Sequence, residues 1–294
     1  MYSKKEQFII EKKAMKTSIV DNLFDEGINK LNLLFKNRIC LPDTFVIRQD
    51  NLNTLLERIG YHIPFENLAI IKEKLQPLTY THLFNKLVIN QEGGVCYETN
   101  PLIAYLLLKN GIEARCNYAT IVNEQRESSI NMDRTHIFIY IRLGQSEWLA
   151  DCSFGTKQPL CLVPLCGDIV YSANGYFRVV PITGEQPFLL ERKESCDDKW
   201  LACYRFSVNE PVKQLDDLNN VQKIIAHSPQ SPFNKKRLVT LLTPEGSKIL
   251  SENSLTEIVK KRVYRHEFPK GEFDRYLPLM LRQFNQSKDN TNHI

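Results

Sequence analysis

The chain has 294 residues, 43% of them hydrophobic, and its 38 Lys and Arg against 34 Asp and Glu leave a formal net charge of +4. That is enough apolar material for one large domain or two to three small ones. So mild a charge argues against a general nucleic-acid binder. Only the clusters Lys235-Lys236-Arg237 and Lys260-Lys261-Arg262 stand out, and runs of that length read as solvated surface.

No apolar run approaches the ~18 residues of a membrane span. The N-terminal MYSKKEQFIIEKKAMK is too interrupted by charge for a signal peptide. A cytoplasmic protein with neither nucleic-acid nor membrane partners is expected. The eight cysteines then stay reduced. They form no C-x-x-C pair, no metal site is expected, and all but Cys96 read as packing residues.

Residues 1–111 read as a helical domain, of which about 1–25 look like an extension. DNLFDEGINKLNLLF and QDNLNTLLERI place apolar residues three and four apart, and Pro42, Pro64 and Pro77 punctuate them. Asn100-Pro101 opens a strongly apolar helix that Gly111 ends. The texture then changes. RCNYATIV, THIFIYIRL, SEWLADCSF, DIVYSA and GYFRVVPI are short, rich in β-branched and aromatic residues, and separated by turn formers. They predict an antiparallel β-barrel over 112–215. The remainder, 216–294, is mixed: a helix in LNNVQKIIAHS, a strand in RLVTLLT, a turn at Pro244-Glu245-Gly246 and a last helix near Glu272–Phe284. The fold class is therefore α+β.

Cys96 lies just before the apolar helix and behind Gly93-Gly94. A cysteine attacks as its thiolate, which the partial positive charge at a helix start favours. Glycines let backbone N–H groups approach a substrate. A buried, inert cysteine explains the same residues equally well. A base decides between the two. His136 opens an alternating strand in which Phe138 and Tyr140 share its face and Ile137, Ile139 and Ile141 the other. With Gly144-Gln145 as a hairpin loop, Leu143 pairs with Ser146 and Phe138 falls opposite Asp151. Asp151 is then the diagonal, same-face neighbour of His136. A carboxylate there can hold an imidazole in one tautomer and stabilise its charged form. Cys96, His136 and Asp151 make a candidate catalytic triad.

These residues sit in motifs that resemble the arylamine N-acetyltransferases. Ile63-Pro64-Phe65-Glu66-Asn67-Leu68 is similar to the family's "IPFENL", and Gly93 to Asn100 to its "RGGxCxExN". Thr135-His136 resembles its histidine strand, and Leu149 to Gly155 its "LVDVGFG". Ser228 to Phe233 is similar to its "SPxSxF". The resemblance implies an N-terminal helical domain, a central β-barrel and a C-terminal α/β lid. It implies ping-pong transfer of an acetyl group from acetyl-CoA, a co-substrate and not a bound cofactor, through a Cys96 thioester. The acceptor is an arylamine, arylhydrazine or N-hydroxyarylamine. It places the coenzyme near Thr135, Gly155, Gln230 and Ser231, and gives Glu66 and Asn67 a structural role in bonding backbone between domains.

Two positions depart from the family pattern. Glu92 stands where the family has arginine, and Ser153 where it has glycine. A carboxylate beside Cys96 disfavours a thiolate unless it points away or finds a partner, and a serine strains the loop if that position needs positive φ. These departures motivate one rival reading, a catalytically silent binding protein. The Cys-His-Asp order motivates another, a transglutaminase-like cysteine hydrolase or an amide synthase. The hydrolase typically has a tryptophan soon after the histidine, where this chain has Ile137-Phe138.

Overall fold

The computed structural model describes residues 27–122 and 132–282. The expected extension, residues 1–25, lies outside the described residues, as does Phe284 at the end of the last expected helix.

The N-terminal part is helical: α1 (Ile28–Arg38), α2 (Leu52–His62), α3 (Leu68–Ile71), α4 (Tyr80–Phe84) and α5 (Cys96–Lys109), with a two-residue strand β1 (Phe65–Glu66) before α3. α2 buries Leu52, Leu55, Leu56 and Ile59, the spacing of one helix face. α4 runs directly into a π-helical turn, Asn85–Ile89, closed by Asn90 N–H donating to the Asn85 carbonyl at 2.8 Å. α5 is buried nearly all round. It starts at Cys96, earlier than the Asn100-Pro101 opening that the sequence suggests. Glu98 explains the difference: its carboxylate accepts the Val95 N–H at 3.0 Å, while Glu98 and Thr99 N–H donate to the Val95 carbonyl. That cap holds the first turn, so Pro101 lies inside the helix.

Eight antiparallel strands form a nearly closed barrel: β2 (Glu113–Ile121), β3 (His136–Leu143), β4 (Ser146–Ala150), β5 (Val163–Pro164), β6 (Val170–Ser172), β7 (Gly175–Pro181), β8 (Phe188–Lys193) and β9 (Leu201–Pro211). Their order across the sheet is β5-β4-β3-β2-β9-β8-β7-β6. β8 and β9 were not anticipated; charged residues such as Glu191, Arg192 and Arg205 interrupt their apolar pattern. The β3–β4 hairpin pairs Leu143 with Ser146 and Ile139 with Ala150, the expected register. β3 divides two cores. Ile137, Ile139 and Ile141 pack with α5, whereas Phe138 and Tyr140 fill the barrel with Phe177 and Phe206.

The C-terminal part holds α6 (Leu218–His227), a meander β10 (Leu238–Thr243), β11 (Gly246–Ser251), β12 (Ser254–Val259) and β13 (Arg262–Glu267), and α7 (Phe273–Arg282). Only β10 of these strands was anticipated. β1 adds to the meander, pairing Phe65 with Thr240 and Glu66 with Val239, and Phe65 also bridges Gly94. The IPFENL segment thus stitches the turn before α5 to the C-terminal sheet. Asn67 completes the seam, donating to the Phe233 and Lys236 carbonyls and accepting the Leu238 N–H, each at 2.8 Å. No described helix is long and apolar enough to cross a membrane.

Candidate active site

Three chain segments converge. Cys96 is the first residue of α5, His136 the first of β3, and Asp151 follows the end of β4. All three are buried. His136 Nε2 lies 2.7 Å from Asp151 Oδ2. A carboxylate can only accept, so Nε2 carries the hydrogen. That leaves Nδ1 available on the other side of the ring, and Cys96 too acts electrostatically on the imidazole. Cys96 Sγ lies 3.7 Å from the Thr135 carbonyl oxygen as well. Burial pulls the imidazolium pKa down, but Asp151 and Cys96 together outweigh it and push it up to about 10.

Asp151 holds four donors. Besides His136, Oδ2 accepts the Tyr204 hydroxyl at 3.1 Å, and Oδ1 accepts Asn100 Nδ2 and the Ser153 N–H, each at 3.0 Å. Asn100 also donates to the Ile137 carbonyl at 2.7 Å and accepts the Cys152 N–H at 2.8 Å. One amide on α5 therefore locks the ends of β3 and β4 against the helix that starts at Cys96. Tyr204 adds its ring, which lies 4.7 Å from that of His136 and 5.2 Å from that of Phe154. Its role could not be read from the sequence. It rests on β9 pairing with β2, where Ala119 stands opposite both His136 and Phe206, and Tyr204 is two residues from Phe206 on the same face.

A cavity of about 480 Å³ opens onto Cys96 and His136. Its walls are mostly apolar: Phe65, Val95, Met132, Phe154, Ile225 and Phe233. Lys157, Arg205 and Asp133 add charge. Of the four residues expected near a coenzyme, Thr135, Gly155 and Gln230 line this cavity. Ser231 does not: it is buried, and its hydroxyl accepts the Phe233 N–H at 3.2 Å.

The two departures are accommodated. Ser153 is absent from the left-handed region, which Gly155 occupies at φ 59°, so the serine strains nothing. Glu92 is exposed and lines a separate cavity, away from Cys96. Partial desolvation of its carboxyl at that wall holds it above the usual range against the pull of Lys86.

The remaining expected features divide. Cys116, Cys152, Cys161 and Cys203 are buried and Cys40 is half-buried, but Cys166 and Cys196 are exposed and do not pack. Arg237 is engaged with Glu252 and Asp274. Among the described residues no group of His, Cys, Asp and Glu could hold a metal ion.

A family model described as N-acetyltransferase matches residues 49–287. Among curated relatives, an uncharacterized acetyltransferase of Bacillus subtilis is 30% identical over 70% of this chain and 80% of its own length. The arylamine N-acetyltransferase of Escherichia coli is 26% identical over 74% of each. Among solved structures, arylamine N-acetyltransferase C of Bacillus anthracis superposes with a TM-score of 0.78 at 27% identity, covering 85% of this chain and 96% of that one. An arylamine N-acetyltransferase of Bacillus cereus described as having a Cys-His-Glu triad gives 0.77 at 27% identity, covering 83% and 95%. The Mycobacterium marinum enzyme, solved in complex with CoA, gives 0.73 at 22% identity, covering 84% and 90%. The chain belongs to the arylamine N-acetyltransferase family.

Proposed function

We propose that this acetyltransferase moves an acetyl group from acetyl-CoA to an arylamine, arylhydrazine or N-hydroxyarylamine through a thioester on Cys96. The observation that carries the reading is one cavity onto which Cys96 and His136 both open, with the His136 ring held from behind by Asp151.

In the first half-reaction the Cys96 sulfur, paired with the His136 imidazolium, attacks the acetyl carbonyl carbon. The new S–C bond forms and the bond to the coenzyme sulfur breaks. His136 returns the proton to the departing thiolate. First-turn N–H groups of α5 are the natural donors to the oxyanion, since a helix start leaves them without intrahelical acceptors. In the second half-reaction the acceptor nitrogen attacks the thioester carbonyl and loses its proton to His136, and the N–C bond replaces S–C.

The apolar wall of the cavity suits an aryl ring, and Lys157 and Arg205 on the same wall suit an anionic donor. Intact-protein mass after mixing with acetyl-CoA, without acceptor, tests the reading. A single acetyl adduct, absent in Cys96→Ser and discharged by an arylamine, is expected. No adduct on a Cys96 that still reacts with iodoacetamide would overturn the donor and favour hydrolase chemistry.

A further inference from the structure

Behind the turn that delivers Cys96 lies a buried charge cluster that the chemistry above does not use. Lys86, on the π-helical turn, is buried with its ammonium 2.6 Å from Glu98 Oε1 and 3.4 Å from Glu66 Oε1. Each carboxylate has a second job. The other oxygen of Glu98 accepts the N–H of Val95, the residue before Cys96. The other oxygen of Glu66 accepts the Leu68 N–H, and the Glu66 backbone N–H donates to the Gly94 carbonyl at 3.2 Å. Gly94 in turn donates to the Pro64 carbonyl at 3.1 Å. The approach is so close that a Cβ at Gly93 would run into the Pro64 carbonyl oxygen. One cation therefore joins both anchors of the Gly93-Gly94-Val95 turn.

Position 92 adds a third acid beside this cluster, a glutamate. The Glu92 N–H donates to the Lys86 carbonyl at 3.0 Å, so positions 86 and 92 are neighbours across the turn. Both act electrostatically on the same two carboxylates. Burial works against the Lys86 ammonium, yet Glu98 and then Glu66 hold its pKa above the ordinary range.

We propose that Lys86 is a positioning residue for Cys96, supplying the cation that compensates Glu98 and Glu66 behind its turn; this rests on Cys96 being the nucleophile. Without that cation two buried carboxylates face each other uncompensated. Glu98 then takes up a proton or swings away, the Val95 N–H is released, and the first turn of α5 no longer fixes Sγ against His136. A displacement of about 1 Å at a reacting atom lowers rates by about a hundredfold.

The test is a rate series on Cys96: alkylation by iodoacetamide across pH, and acetylation by acetyl-CoA, for the wild type, Lys86→Met, Lys86→Arg and Lys86→Met/Glu92→Arg. Lys86→Met should slow both reactions by about a hundredfold and alter the pH profile of alkylation, and Lys86→Arg should stay within about tenfold of wild type. Glu92 borders a cavity of about 1330 Å³, room enough for an arginine, so the double variant should regain at least about tenfold over Lys86→Met. A folded Lys86→Met with wild-type rates, or a double variant no faster than the single one, overturns the proposal. If Lys86→Met fails to fold, Glu98→Gln decides, and wild-type alkylation in that isosteric variant overturns it as well. Alkylation needs no acyl donor. A wild type that alkylates but takes no acetyl group therefore sinks the acetyl-CoA reading and leaves the Lys86 result intact.

Discussion

Asp151→Asn is the sharpest test of the site. The carboxylate accepts from four donors, two on each oxygen, and it is fully buried. An asparagine of the same shape has one acceptor atom and one donor. If its oxygen replaces Oδ1, where Asn100 and the Ser153 N–H converge, its amide nitrogen faces His136 Nε2. Nε2 must then accept, the ring proton moves to Nδ1, and the face toward Cys96 can no longer take a proton. A wrong tautomer of this kind costs about 10³–10⁴ in rate, or about 4–5.5 kcal/mol of barrier. Losing hydrogen bonds to a charged acceptor costs about 1.5–3 kcal/mol of stability. For a chain of this size that is a fall in Tm of about 3–12 °C. The pH dependence adds a sign. His136 has a folded pKa of about 10, above its unfolded value of about 6.5. The stability from the pair is thus fully present below about pH 6.5 and is lost as pH rises toward 10. The gap in Tm between wild type and Asp151→Asn should be widest below pH 6.5 and narrow steadily above it. Steady-state acetyl transfer and melting across pH 5.5–9.5, a window of about four units around the two pKa values, check both statements. A variant within tenfold of wild-type kcat/KM, or a gap that widens with pH, would refute the reasoning.

Two further substitutions test the supports. Tyr204→Phe removes one donor to Asp151 and keeps the tilted ring contact with His136. It should cost about 1–3 kcal/mol in thermal stability and roughly tenfold in kcat, and an unchanged melt would mean that water replaces the hydroxyl. Ser153→Gly restores the residue of the family pattern at a position without positive φ. It should lower stability by about 0.5–1 kcal/mol through added unfolded-state freedom and leave activity within a few-fold. A large gain in activity would show that the serine obstructs the cavity.

What the sequence made legible was local or carried by a short loop. The alternation of β3 separated its two faces, and a two-residue hairpin turn fixed which residue at the end of the hairpin, Asp151, stood beside His136. Both are statements about neighbours within about ten positions, where period and turn geometry leave little freedom. The supports of the site are of another kind. Tyr204 reaches Asp151 only because β9 pairs with β2, and nothing in LACYRFSV distinguishes its tyrosine from other barrel aromatics. Lys86 lies within NKLVI, a stretch whose only peculiarity is a π-helical turn, which changes the face a side chain presents and cannot be read from an apolar period. The onset of α5 was placed late for a related reason. Proline punctuates helices on average, but a glutamate cap upstream of it moved the boundary.

The groups that support the site also make the fold and the site inseparable. Asn100 reaches from α5 to bind the Ile137 carbonyl, the Cys152 N–H and the Asp151 carboxylate at once. Glu66 and Asn67 tie the turn before Cys96 to the C-terminal sheet. Cys96, His136 and Asp151 are thus each held by segments distant in sequence, and each holding group is buried and hydrogen-bonded, so releasing one leaves a desolvated partner behind. That coupling predicts where substitutions will be tolerated. Residues of the apolar wall such as Met132 and Ile225 bear on which acceptor fits, whereas Asn100, Tyr204 and Lys86 bear on whether Cys96 reacts at all. A substitution series should therefore separate into changes of KM for the first group and of kcat for the second.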